Sequence, residues 1–215
     1  MSPRVPVGVF VRPPRPGEVK TRLARRVGPE RAAALAAAFL ADVWAVVSSL
    51  PWARPVLVGT EADVAAYGLG PVELWLQGDG DLGARMERTL LAALANEPAV
   101  FLIGADLPAL PAAHLEAARA ALTRHEVVLG PADDGGFWLI GARRFTPGAL
   151  AGLTWSTAST RAQTETALIF HGLDVGFAPA WFDVDDPEDL DRLEALLARA
   201  PEAAPRTAAL LRRTS

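Results

Sequence analysis

Asp183 and Asp185 stand two residues apart in Trp181-Phe182-Asp183-Val184-Asp185-Asp186-Pro187-Glu188-Asp189-Leu190. In extended chain such residues share a face, so both carboxylates project one way while Val184 points into the core. Two adjacent carboxylates repel, and a divalent cation removes that repulsion; Mg²⁺ is typically held by a few carboxylates with phosphate oxygens and water. Asp186 is read instead as a helix N-cap ahead of Pro187, with Glu188 and Asp189 as first-turn acids that suit the helix dipole. A third acid, Asp106, follows the most apolar run of the chain, Val100-Phe101-Leu102-Ile103-Gly104-Ala105-Asp106-Leu107-Pro108. Alone it would be a turn cap. A carboxylate at the end of a buried strand is costly unless paired or metal-bound, and the pair at 183 and 185 supplies the company for a metal site. With no cysteine and three scattered histidines, such a site must use oxygen ligands, and Mg²⁺ or Mn²⁺ is the expected ion.

The complementary charge lies near the start of the chain. Arg12-Pro13-Pro14-Arg15-Pro16-Gly17-Glu18-Val19-Lys20-Thr21-Arg22-Leu23 holds four cations against one acid, and its prolines and Gly17 prevent a regular element. Lys20 and Arg22 fall where a helix begins, and free N–H groups with the helix dipole favour an anion there. The stretch is either a solvated basic loop or a polyphosphate grip that also uses Arg12 and Gly17. It is not a P-loop, because Val19 and Pro14 stand where the glycines would be needed.

Two glycine-rich stretches can line a pocket. In Gln77-Gly78-Asp79-Gly80-Asp81-Leu82-Gly83-Ala84-Arg85-Met86, the glycines suit close backbone approach to a flat ligand. There Asp81 is a ligand group or a helix cap, and Arg85 a ligand group or a surface residue. In Gly130-Pro131-Ala132-Asp133-Asp134-Gly135-Gly136-Phe137, the turn is a hairpin connection or a pocket wall offering Asp134, Gly135 and Gly136. Trp155 lines an acceptor site or packs in the core.

The elements that must position these residues follow from the pattern of apolar runs. Strands are expected at 5–11, 55–60, 72–76, 99–104, 126–130, 137–141 and 174–178. Helices are expected at 20–26, 29–50, 62–67, 82–96, 111–123, 160–171 and 187–199. Alternation of this kind builds an α/β fold around a mostly parallel sheet, in which ligands bind beyond the carboxyl ends of strands. Residues 1–199 read as a single nucleotide-binding domain, and 200–215 as a helical or frayed tail with Arg212 and Arg213 near its end.

Bulk properties narrow the function. The chain has 215 residues, and a net charge of −4 argues against a nucleic-acid binder. No apolar run approaches the ~20 residues of a bilayer span; the Ala-rich stretch 31–47 comes nearest but is bracketed by Arg31 and Asp42. No signal peptide is evident at the N-terminus. A cytoplasmic protein without nucleic-acid or membrane partners is expected; oligomeric state is not legible.

Taken in order, Pro-Gly-Glu-Val-Lys-Thr-Arg-Leu, Gly-Asp-Leu-Gly-Ala-Arg-Met, Gly-Ala-Asp-Leu-Pro, Gly-Pro-Ala-Asp-Asp-Gly-Gly-Phe-Trp-Leu-Ile-Gly and Asp-Val-Asp-Asp-Pro-Glu-Asp-Leu span Val7 to Leu190. Together they resemble the bacterial family known as radical-SAM/selenodomain-associated transferase 1, loosely called glycosyltransferases, within the GT-A-like nucleotide-diphospho-sugar transferase superfamily. The chain is similar, more distantly, to 2-phospho-lactate and molybdenum-cofactor guanylyltransferases. The resemblance implies a Rossmann-like GT-A three-layer fold with a mixed, mostly parallel sheet. It implies that Lys20 and Arg22 hold nucleotide phosphates and that Asp106, Asp183 and Asp185 hold the metal. It places Asp134, Gly135 and Gly136 in the acceptor or nucleotide pocket. The proline-rich first loop departs from the glycine-rich loop common in the superfamily. The expected activity is transfer of an NMP from an NTP to a small phosphorylated acceptor. The alternatives are glycosyl transfer from a nucleotide sugar, with Asp134 as general base, and nucleotide binding without catalysis.

Overall fold

The computed structural model describes residues 4–212, so Arg213 lies outside the described residues. Seven strands, β1 (Val5–Val11), β2 (Ala53–Gly59), β3 (Leu74–Leu76), β4 (Val100–Gly104), β5 (Val127–Pro131), β6 (Phe137–Ala142) and β7 (Val175–Phe177), form one sheet in the order β3-β2-β1-β4-β6-β5-β7. Only β6 runs against its neighbours; the other pairings are parallel. The chain leaves β1 towards β2 on one side and returns at β4 on the other. That reversal opens a crevice at the carboxyl ends of β1 and β4, where an open α/β sheet binds its ligand.

The strands are apolar on both faces because helices cover both. Phe101, Ile103, Val128 and Leu139 turn to one face, with Leu40, Val43 and Val47 of α2 (Pro29–Ser49) and Leu115 and Ala118 of α4 (Ala112–Leu122). Leu102, Leu129 and Ile140 turn to the other, with Met86 and Leu90 of α3 (Leu82–Leu94) and Leu168 of α5 (Thr160–Phe170). The strand period of two thus sorts neighbours in sequence into two cores. A third cluster joins Leu23 of α1 (Thr21–Val27), Leu35 and Phe39 of α2, Leu190 and Leu193 of α6 (Pro187–Leu197) and Ala208 of α7 (Pro205–Arg212).

Several expected elements change at their ends. The strand expected at 72–76 is reduced to β3, which pairs only with the last residues of β2, Leu57 to Gly59. The helix expected at 62–67 is a short 3-10 turn, Val64–Tyr67, capped by Asp63 and ended by Gly68 at φ 72°. Strand β2 starts two residues before Pro55. Leu57 N–H donates towards β3, so the missing N–H of Pro55 faces the side that β3 does not reach. One expectation is corrected: α2 is long and apolar enough, by length and composition, to cross a membrane. It instead lends its apolar face to two of the cores.

The tail is ordered as a helix by a group that the sequence reading used only as a flanking charge. Asp42, on α2 and 1% exposed, accepts hydrogen bonds from the backbone N–H of Arg206 and Thr207 and from the Thr207 hydroxyl. It caps the first turn of α7 from a distant part of the chain.

Candidate active site

Asp106, Asp183 and Asp185 meet at the mouth of the crevice. Each offers a carboxylate oxygen, and the three oxygens lie within 4.8 Å of one another. Backbone bonds bring the separate segments together. The Asp106 carbonyl accepts from Val184 N–H at 3.0 Å, stitching the 183–185 segment to the end of β4. Val184 is fully buried in the third core, so its two neighbours face the cleft. Asp186 and Asp189 form a capping box at the start of α6, and the Asp189 carboxylate also accepts from Asp185 N–H at 3.0 Å. Gly104 leaves room for the Asp106 carboxylate, which a Cβ there would meet.

Lys20 reaches into this cluster. Its Nζ donates to Asp106 Oδ2 at 3.0 Å and to Asp185 Oδ1, with its own side chain 10% exposed. The backbone of Lys20 is left-handed, φ 48° and ψ 45°, just before the first turn of α1. That conformation costs a non-glycine residue about 1–2 kcal/mol and turns this side chain towards the acids. Burial works against the ammonium charge, but Asp106 and Asp185 outweigh it and raise the Lys20 pKa. Asp183 is left without that partner. Burial, then the charges of Asp106, Asp185 and Asp134, push its carboxyl up to about 7. Crowded carboxylates of this kind, with oxygen donors only, fit a hard divalent cation.

Two adjoining pockets open from the cluster. The larger, of about 350 Å³, is lined by Arg22, Leu82, Asp106, Asp134, Gly136, Trp155, Asp183 and Asp185 among others. The smaller, of about 230 Å³, includes Arg12, Glu18, Lys20, Asp106 and Asp185. Arg22 is exposed and has no ion-pair partner among the described residues. Asp134 is exposed and accepts from Gly136 N–H at 2.8 Å. The structure therefore brings together Arg12, Lys20, Arg22, Leu82, Asp106, Asp134, Gly136, Trp155, Asp183 and Asp185.

The remaining expected residues do not line either pocket. Gly17 is an exposed left-handed turn residue with open space around it. Asp81 caps α3 by accepting from Ala84 N–H, and Arg85 donates to the Gly80 carbonyl, so both shape the 77–81 loop. Gly83 lies beneath the ring of Trp155, where a side chain would not fit. Gly135, at φ 87°, packs its α-carbon against the backbone of Ala158 and so joins the Asp134 turn to the Trp155 loop. Sequence reasoning missed Phe10, Met86 and Thr160 as lining residues. Phe10, next to last in β1, carried a positional signal. Met86 closes the glycine-rich stretch at 77–86 without being singled out, and Thr160 is a helical residue with no distinguishing pattern.

Comparison with known proteins bears on the family and the scaffold. Residues 45–157 match the family DUF2064, described as an uncharacterized protein conserved in bacteria. A phosphoenolpyruvate guanylyltransferase of Streptosporangium roseum is 35% identical over 202 residues, covering 90% of this chain and 85% of the relative. A solved structure from Desulfovibrio desulfuricans G20, assigned to the nucleotide-diphospho-sugar transferases, is 32% identical with a TM-score of 0.90 over 98% of this chain and 95% of its own. The 4-diphosphocytidyl-2C-methyl-D-erythritol synthase of Anaerococcus prevotii shares the fold, with 10% identity and a TM-score of 0.58 over 91% of this chain and 99% of its own. The chain belongs to the DUF2064 family, and it is a transferase on a nucleotide-diphospho-sugar transferase scaffold.

Proposed function

We propose that the protein is a Mg²⁺-dependent nucleotidyltransferase that joins an NMP from an NTP to a small phosphorylated acceptor and releases pyrophosphate. The observation that carries this is the cluster of Asp106, Asp183 and Asp185 with Lys20 among them, at the crevice between β1 and β4. The guanylyltransferase relative supports the reaction class and makes GTP the first donor to try. Membership of the radical-SAM/selenodomain-associated group within the family belongs to the same proposal.

The chemistry needs positioning and charge neutralisation rather than a protein nucleophile. Asp106, Asp183 and Asp185 would hold the cation, which supplies neutralisation of phosphate charge as the bond breaks. Arg22, on the first turn of α1 and without an ion-pair partner among the described residues, would grip the departing pyrophosphate, and Arg12, in the adjoining pocket, would add positive charge. Lys20, two residues before Arg22, exchanges its carboxylate partners for phosphate oxygens when a nucleotide enters. The acceptor lies on the Asp134 and Trp155 side of the larger pocket.

Asp106→Asn is expected to lower pyrophosphate release from GTP by at least ~100-fold, the loss that follows removal of one electrostatic stabiliser. Circular dichroism and the melting temperature report whether the variant still folds. Unaltered turnover in a folded variant would refute the carboxylate site. A second reading, glycosyl transfer, is favoured by the exposed Asp134 on the acceptor side, free to act as a base, and by the Desulfovibrio relative. A melting-temperature screen with Mg²⁺ separates the two. Stabilisation by one NTP supports nucleotidyl transfer, and stabilisation by a nucleotide sugar alone supports the second reading.

A further inference from the structure

The larger pocket has an uneven lining whose chemistry bears on the acceptor, given the nucleotidyl-transfer reading above. Five charged groups face it: the carboxylates of Asp106, Asp134, Asp183 and Asp185, and the guanidinium of Arg22. Two further arginines on neighbouring segments are engaged elsewhere. Arg161 pairs with Glu165 at 3.0 Å, and Arg192 with Asp133 at 2.6 Å. Among the described residues that line this pocket, Arg22 is the one cation. Arg22 adjoins Lys20 on the phosphate side.

Much of the remaining lining is apolar. Phe10, Leu82, Met86, Leu102, Phe137 and Trp155 contribute to it, with Phe137 and Trp155 edge to face at 6.3 Å between ring centres and the Trp155 indole N–H buried without a hydrogen-bond partner. Its polar edge is made of hydroxyls, and those of Thr157 and Thr160 are already bonded to each other at 3.2 Å. A carboxylate placed here would lose water, gain no cation and face Asp134; an apolar group would gain by leaving water.

We propose that the acceptor is a phosphomonoester with an apolar body and no carboxylate. In this it differs from phosphoenolpyruvate, the substrate in the Streptosporangium relative's name, which bears a carboxylate beside its phosphate. The acceptor phosphate lies at the Asp106, Asp183 and Asp185 end of the pocket, where the cation would be held, and its body lies against Trp155 and Phe137. One of its oxygens attacks the α-phosphorus of the NTP. A new P–O–P bond forms there, the bond from the α-phosphorus to the β-bridging oxygen breaks, and pyrophosphate leaves with that electron pair. The phosphomonoester dianion reacts without losing a proton, so the step asks for no base.

The test compares phenyl phosphate with phosphoenolpyruvate as acceptors, with Mg²⁺ and each NTP, by pyrophosphate release. Calorimetric binding of both acceptors is measured on the same nucleotide-loaded protein. Phenyl phosphate is expected to be preferred at least ~10-fold in kcat/KM or in affinity, as burial of a few apolar carbons provides. Trp155→Ala should raise the KM for phenyl phosphate by a similar factor. Ser156→Lys adds the missing cation at an exposed pocket position whose backbone, φ 59°, is left-handed as at Lys20. It should shift the preference towards phosphoenolpyruvate by at least tenfold, a gain that misfolding does not mimic. Equal or better use of phosphoenolpyruvate by the wild type, or no shift in Ser156→Lys, would overturn the inference. Failure of every NTP to raise the melting temperature or release pyrophosphate would instead remove the nucleotidyl reading, and this inference with it.

Discussion

At the scale of single residues, the site is a balance between crowded carboxylates and one lysine. Asp183 shows the imbalance most clearly, because its carboxyl is raised to about 7 while Lys20 pairs with its two neighbours. A raised carboxyl pKa means that the folded chain binds more protons than the unfolded chain between the ordinary Asp range and about pH 7. Stability of the metal-free protein therefore falls as pH rises through that window and stays lower above it. Asp183→Asn should melt several degrees above the wild type at pH 8 and alongside it at pH 3.5, both in EDTA. Mg²⁺ should narrow the pH 8 gap by stabilising the wild type, and its affinity should rise with pH up to about 7 as the competing proton leaves. A gap independent of pH would disconnect Asp183 from the cluster. The face shared by Asp183 and Asp185 was legible in the sequence because strand geometry alternates with a strict period. The path of Lys20 was not. Its charge and position suggested phosphate, and nothing in residue type announced a left-handed backbone that aims it at Asp106 and Asp185.

At the scale of elements, α6 does more than fill a core. Its capping box is reciprocal, with Asp186 accepting from Glu188 and Asp189 N–H while the Asp189 carboxylate accepts from Asp186 N–H. The same Asp189 oxygen holds Asp185 N–H, so the helix start also sets the pose of a candidate ligand. Asp189→Ala should cost about 1 kcal/mol of stability, as loss of a cap does, and weaken Mg²⁺ binding several-fold. Denaturant titration and calorimetry would measure the two effects; lost stability with unaltered metal affinity would confine Asp189 to the helix. Asp186 was readable as a cap from Asp-Pro-Glu-Asp alone, and most strands from their apolar runs. The ends of β2 and β3 were less so, because they depend on which neighbour lies alongside, which no single segment encodes. Phe10 and Met86 line the pocket for the same reason: their strand and helix are local facts, but their meeting is a property of the sheet order.

At the scale of the whole molecule, the last helix is held by a charge on the second. Asp42 is buried and accepts hydrogen bonds from Arg206 and Thr207, with a longer contact to the Arg206 guanidinium at 3.8 Å. Asp42→Ala should destabilise the fold by about 2 kcal/mol, as loss of hydrogen bonds to a buried charged acceptor does. Thr207→Ala should cost less. The double variant should fall short of the sum, because both remove one bond. Additive losses in urea melts would separate the two residues. The tail was only half legible: the sequence left it helical or frayed, and the residue that fastens it lies far away in the chain.

That fastening also sets an order of events during synthesis. Asp42 leaves the ribosome 165 residues before Thr207, its partner. At roughly 5–20 residues per second the wait is on the order of ten to thirty seconds. Through that interval the sheet can assemble, but one carboxylate of α2 keeps its water and the third core stays open along the face that α7 will cover. The molecule is thus closed by a segment made long after the one it fastens to, and a nascent chain that stops short of position 207 carries an unfinished, hydrated seam.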